Sequence, residues 1–280
     1  MSALEVAGLT KHYSVRREDR PGREQFVALD GVSYGVEAGK SLAILGESGS
    51  GKSTSARIIV GLERADAGEV TVEGVPWNPT RPVPTRQRRA RGGLVQMVFQ
   101  DPYQSLDRRQ RVREALDEAL RLHTDLSAPA RRERVLELLA QVRLDPALAD
   151  AYPRRLSGGQ RQRVAIARAL AAEPRVIVLD EAVSALDVTV QAQILDLLDS
   201  IRLSTNVAYL FITHDLPVAR RLCQTVVVMQ AGRIVESGDI EAVLSNPQAD
   251  YTSRLIQSVP REGWKPQRRL DRAVSSKENP

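Results

Sequence analysis

The chain has little of several residues that define other protein classes. Of 280 residues, one is cysteine, Cys223. That excludes a disulfide framework, a four-cysteine zinc site and an iron–sulfur cluster within this chain. Aromatic residues are 4% of the total, so aliphatic side chains must build the core. No apolar run approaches the roughly 18 residues of a membrane-crossing helix. The start, Met1-Ser2-Ala3-Leu4-Glu5, lacks a basic-then-apolar leader, and the expectation is a cytoplasmic protein. What remains is a globular balance of 42% hydrophobic and 27% charged residues. The length suits one large domain or two small ones.

The net charge is +5, and arginine is clustered: Arg81, Arg86, Arg88, Arg89 and Arg91, then Arg108, Arg109, Arg111 and Arg113. Such clusters fit a nucleic-acid surface, a solvated face or a patch beside anionic lipid. No aromatics are interleaved to stack on bases, so no nucleic acid is expected as a partner.

The strongest signal is Gly46-Glu47-Ser48-Gly49-Ser50-Gly51-Lys52-Ser53, followed by Thr54. It fits G-x-x-x-x-G-K-[ST], the phosphate-binding loop. Ser41 to Leu45 before it reads as a buried strand, and Ser53 to Leu62 after it as a helix, the context this motif requires. The glycines let backbone N–H groups turn inward around anionic oxygens, and the helix adds its positive end. Lys52 can reach the β- and γ-phosphates, and the Ser53 hydroxyl can hold Mg²⁺.

Around this unit, alternating patterns predict strands over Leu4–Val15 and Phe26–Val36, the latter with a turn at Asp30-Gly31. Another is predicted over Glu69–Glu73, ended by Gly74. Trp77–Pro84 reads as irregular, and Gly93–Phe99 as a strand that delivers Gln100. Helical spacing follows over Val112–Leu122 and Ala130–Val142. Leu156-Ser157-Gly158-Gly159-Gln160 then opens a helix, a second loop built to face an anion. Val176–Leu179 ends in Asp180-Glu181, a buried parallel strand with acids at the edge where ligands bind in open α/β sheets. Ser184-Ala185-Leu186-Asp187 precedes an amphipathic helix, Val188–Leu203. Val207–Thr213 is another buried strand, ending at His214-Asp215. Thr225–Gln230 and Arg233–Ser237 form a hairpin. A short helix over Ile240–Ser245 and a last one near Ile256 complete the pattern.

These motifs, in this order, resemble the ATPase subunit of an ABC transporter from about Leu4 to Ile256. The resemblance implies an α/β fold: a P-loop NTPase core with a mixed sheet, flanking helices and an antiparallel β subdomain, plus an inserted α-helical subdomain. The ATPase domain would cover 1–256, with core at about 1–100 and 170–256 and the insertion at about 101–169. Residues 257–280 are expected to form a polar, disordered tail. The implied cofactors are ATP and Mg²⁺, the metal held by Ser53, Gln100 and Asp180. Glu181 would polarise the attacking water, with His214 and Gln100 completing the catalytic set. Gly46 to Thr54 would bind the phosphates, and Tyr13 would stack on adenine, with strand packing as its competing role. Ser157, Gly158 and Gly159 would complete the nucleotide site of a second ATPase subunit, identical or homologous, and Gln160 and Asp187 are further expected nucleotide-binding residues. Transmembrane permease subunits are further implied partners, docking near Asp101–Leu106, with an extracytoplasmic solute-binding protein as an indirect one. The expected location is the cytoplasmic face of the membrane, peripheral.

A narrower resemblance lies in Glu181–Gln193 and Asn246–Thr252, which look like the ATPases of oligopeptide, dipeptide and nickel importers. Some of those carry a cysteine cluster near the C-terminus; this chain has none there. The expected function is powering peptide import by ATP-driven dimer closure. The alternatives are an importer of nickel or another small solute, a regulatory nucleotide binder, or a non-transport ABC ATPase acting on nucleic acid.

Overall fold

The computed structural model describes residues 1–16, 23–101 and 105–258. The tail from 259 onward and Pro102–Gln104 of the expected permease contact lie outside the described residues. Strands β1 (Ser2–Arg16), β2 (Arg23–Glu37) and β3 (Ser41–Leu45) lead to helix α1 (Lys52–Ile59). Then come β4 (Ala67–Val72), β5 (Val75–Trp77), α2 (Thr85–Leu94) and β6 (Val95–Val98). A helical stretch follows: α3 (Val112–His123), α4 (Ala128–Gln141), 3₁₀ turns at Pro146–Asp150 and Pro153–Arg155, and α5 (Gly158–Leu170). The chain continues with β7 (Val176–Asp180), α6 (Val188–Thr205), β8 (Ala208–Ile212) and α7 (Leu216–Leu222). It closes with β9 (Thr225–Gln230), β10 (Arg233–Asp239), α8 (Ile240–Ser245) and α9 (Asp250–Gln257).

The strands form two sheets. One is antiparallel, in the order β2-β1-β4-β5. The other runs β10-β9-β3-β8-β7-β6, parallel except for the β9–β10 hairpin at its edge. A parallel sheet is covered on both faces, so its strands are apolar throughout. β3 shows this: Ala43 and Leu45 enter one buried cluster, Leu42 and Ile44 another. The first cluster joins the sheet to α3, α4, α5 and α6; the second joins it to α1 and the antiparallel sheet. Because β3, β7 and β8 run the same way, their C-terminal ends share one edge, where the loops after them meet.

Three local readings are revised. The expected turn at Asp30-Gly31 is a bulge inside continuous β2: Leu9 faces Val32 and Lys11 faces Leu29, so two residues oppose Thr10. Gly74 does not only end β4. With Glu73 it makes a left-handed pair, φ 50° and 74°, that turns the chain into β5. Between Pro84 and β6 lies α2, which buries no residue and so has no apolar period to read. Arg89 anchors it by donating to the carbonyls of Arg121, at 3.1 Å, and Leu122, and Arg91 lies 5.0 Å over the Trp77 ring.

Candidate nucleotide site

The phosphate loop leaves β3 at Gly46 and enters α1 at Lys52. Gly46 has φ 148° and Gly51 φ 104°. A Cβ on Gly46 would stand 2.2 Å from the Met229 carbonyl oxygen, and one on Gly51 2.4 Å from that of Ala28. The loop is pressed against β9 and β2, and only glycine fits at both points. Its other side opens on a cleft of about 420 Å³.

Gly46 and residues 48–54 line that cleft from the loop, Glu181 and His214 from the sheet edge. Tyr13 closes it from the antiparallel sheet, together with Phe26 and Ala28. Tyr13 and Phe26 face each other across the β1–β2 ladder. Sequence patterning passed over Phe26; the available signal was an aromatic in a strand next to a charged loop. Phe26 is 48% exposed.

Lys52 is 6% exposed, and its Nζ donates to the Gly46 and Glu47 carbonyls, each at 2.7 Å, and to Ser50 Oγ at 3.3 Å. Burial lowers its pKa, against the raising pull of Glu181, Asp180 and Glu47. The Ser53 hydroxyl donates to Asp180 Oδ1 at 3.2 Å. Burial raises the Asp180 pKa above the ordinary carboxylate value, and the charge of Glu181 adds to this. A hydroxyl beside a desolvated carboxylate is a hard-oxygen pair that a cation would relieve. It fits Mg²⁺, which takes one or two protein carboxylates and completes its shell with phosphate and water. Among the described residues, no cluster of three or more His, Cys, Asp or Glu offers a complete metal cage.

Glu181 follows β7 in the left-handed region, at φ 49°, unusual for a residue with a side chain. Its N–H donates to the Ile212 carbonyl at 2.9 Å, pinning it between β7 and β8. Its Oε1 lies 3.2 Å from His214 Nδ1.

The remaining predicted residues stand elsewhere. Glu47 does not line the cleft; its N–H donates to the Tyr251 hydroxyl. Gln100 donates through Nε2 to Ser184 Oγ at 3.4 Å, and Ser184 Oγ donates to the Glu181 carbonyl at 2.9 Å. Gln100 is thereby tied to the backbone of Glu181, in a neighbouring hollow of about 260 Å³ that Gly158 also lines. Ser157 and Gln160 form a capping box at the start of α5: Ser157 N–H donates to Gln160 Oε1, and Gln160 N–H to Ser157 Oγ. Gly159 sits against Val190, where a Cβ would be 2.5 Å from its Cγ1. Asp187 caps α6 by accepting from Val190 N–H at 2.9 Å. None of these five lines the phosphate-loop cleft of its own chain.

A parallel sheet carrying a phosphate loop on its central strand, with a serine–aspartate pair and a glutamate at the adjoining strand end, defines an ATPase of the P-loop type. The profile described as ABC transporter matches residues 29–184, and the chain belongs to that family. Among curated proteins it is 43% identical to the dipeptide transport ATP-binding protein DppF of Haemophilus influenzae, over 92% of this chain and 78% of that one. It is 42% identical to the Escherichia coli protein of the same name, over 92% of this chain and 76% of that one. Among solved structures, the ATP-binding cassette MJ0796, dimeric in a post-hydrolysis state with ADP and Pi, superposes with a TM-score of 0.73 at 30% identity. That match covers 85% of this chain and 98% of the other.

Proposed function

We propose that this chain is the ATP-hydrolysing subunit of a peptide importer, working as one half of a nucleotide-closed dimer. The observation that carries the reading is the meeting of Lys52, Ser53, Asp180, Glu181 and His214 at one sheet edge, in a chain 43% identical to a dipeptide transport ATP-binding protein. In this reading the phosphate loop and Lys52 bind the polyphosphate, and Tyr13 packs on the base. Ser53 and Asp180 would hold Mg²⁺, whose chemistry there is to offset charge on the phosphate oxygens. Glu181 accepts the proton of the attacking water, and His214 holds the Glu181 carboxylate in place. Gln100 acts on Glu181 through Ser184.

The signature loop from Ser157 to Gln160 and Asp187 complete the site of a second subunit. What supports this is that these residues leave their own cleft uncovered, and that the MJ0796 cassette with ADP and Pi is described as dimeric. Among the described residues no helix is long and apolar enough to cross a membrane. By likeness to the dipeptide transport ATP-binding proteins, the proposed partners are separate permease subunits, with this chain on their cytoplasmic side and a solute-binding protein outside.

The test is reconstitution of the chain with its permeases in vesicles. Peptide uptake should require ATP on this chain's side. Uptake of nickel but not peptide would reassign the cargo, and ATP hydrolysis stimulated by DNA but not by permeases would overturn transport altogether.

A further inference from the structure

The segment from Asn246 to Thr252 has no part in the chemistry above, yet it touches the phosphate loop. Tyr251, on the first turn of α9, is 7% exposed, and its hydroxyl accepts the Glu47 N–H at 2.9 Å. The Glu47 carbonyl accepts from Lys52 Nζ at 2.7 Å. The peptide groups on both sides of Glu47 are thus held, one by α9 and one by the phosphate-binding lysine. α9 is itself anchored. The two Glu236 carboxylate oxygens of β10 accept the Gln248 N–H at 2.8 Å and the Ala249 N–H at 3.1 Å, fixing the turn that leads into it.

We infer that Tyr251 is a positioning residue for the nucleotide site: its hydroxyl fixes the Glu47 peptide, and with it the carbonyl on which Lys52 is seated. Without that acceptor the Glu47 N–H loses the partner it has among the described residues, and the first half of the loop is freed. Three glycines, Gly46, Gly49 and Gly51, make the loop costly to order, so a fixed point inside it adds to ligand affinity by pre-organisation. Tyr251 touches no phosphate in this scheme; it acts through Glu47 and Lys52.

The inference rests on the phosphate loop being the ATP site, and the experiment separates the two. Mg-ATP binding, turnover, thermal midpoint and deuterium uptake of the 46–51 segment are measured on the full chain and on Tyr251→Phe, which keeps the ring and loses the hydroxyl. The expected result is faster exchange across 46–51 and a rise in Kd of about three- to tenfold, the range for one lost hydrogen bond. Glu236→Gln, which loosens α9 without altering the tyrosine, should shift both readouts the same way, and it answers the question should Tyr251→Phe fold poorly. A lower thermal midpoint with parental exchange and parental Kd would assign Tyr251 to packing and overturn the inference. If Lys52→Ala loses ATP binding while both other variants bind as the parent does, the tether fails and the site stands. If Lys52→Ala also binds as the parent does, the site itself is misassigned.

Discussion

His214 Nδ1 and Glu181 Oε1 lie 3.2 Å apart at the ends of two neighbouring parallel strands. The histidine side chain is well exposed, whereas the glutamate is drawn in toward the phosphate loop and held by a left-handed backbone turn. In the proposed function this carboxylate, on a strained backbone and hydrogen-bonded to His214, takes a proton from water beside the loop.

Replacing Glu181 with Gln should preserve ATP binding and cut turnover by about a hundredfold or more, the scale of a lost general base. Phosphate release measures the turnover, and gel filtration in ATP should show a trapped dimer. Turnover at the parental rate would remove Glu181 from the mechanism.

Lys52 Nζ donates to the Gly46 and Glu47 carbonyls and to Ser50 Oγ, and in the proposed function it also holds the polyphosphate. Lys52→Ala should raise the dissociation constant for ATP about tenfold or more, since hydrogen bonds to charged groups are worth about 1.5–3 kcal/mol. Equilibrium binding with a fluorescent ATP analogue checks it.

Tyr13 stands at the mouth of the cleft, opposite Phe26, with Lys11 Nζ 5.0 Å from its ring centroid. Tyr13→Ala should weaken ATP binding about fivefold or more, in keeping with about 1–3 kcal/mol for a base on an aromatic ring. Tyr13→Phe should bind ATP as the parent does. A fall in thermal stability without any change in affinity would identify strand packing as the role of this ring.

His123 closes α3 beneath the arginines of α2. Burial lowers its pKa below the ordinary 6.5, and the charges of Arg89 and Arg168 add to the shift. The unfolded chain therefore binds this proton more readily than the folded one. The ring's stabilising contribution is complete above the unfolded value and is lost as pH falls through the folded one. His123→Gln should make the denaturation midpoint less sensitive to acid below about pH 6.5, the unfolded histidine value, so that its difference from the parent is larger at pH 8 than in acid.

Much of the site was legible because its signals are local. The phosphate loop, the Asp180-Glu181 strand end and His214 each follow a short apolar strand, and such strands announce themselves by composition. Helix α2 was illegible for the converse reason: it is held by arginine contacts to carbonyls and to Trp77, and shows no buried face. The resemblance implies a metal-binding role for Gln100, and the structure adds a contact to Ser184 Oγ. No local pattern encodes that contact.

The amino-acid order by itself determined the chemistry on offer: a glycine loop able to wrap phosphate, a lysine, a serine–aspartate pair, a glutamate, and the family those motifs define. Only the tertiary structure decided which of them meet. β3 lies between β8 and β9, although far from both in sequence, and that strand order gathers the loops at one edge. It also carries Tyr251 to Glu47 across 204 residues of chain. The physical reason is that strand order and helix docking are set by burying two apolar clusters at once. That condition belongs to the whole fold, and no stretch of a few residues expresses it.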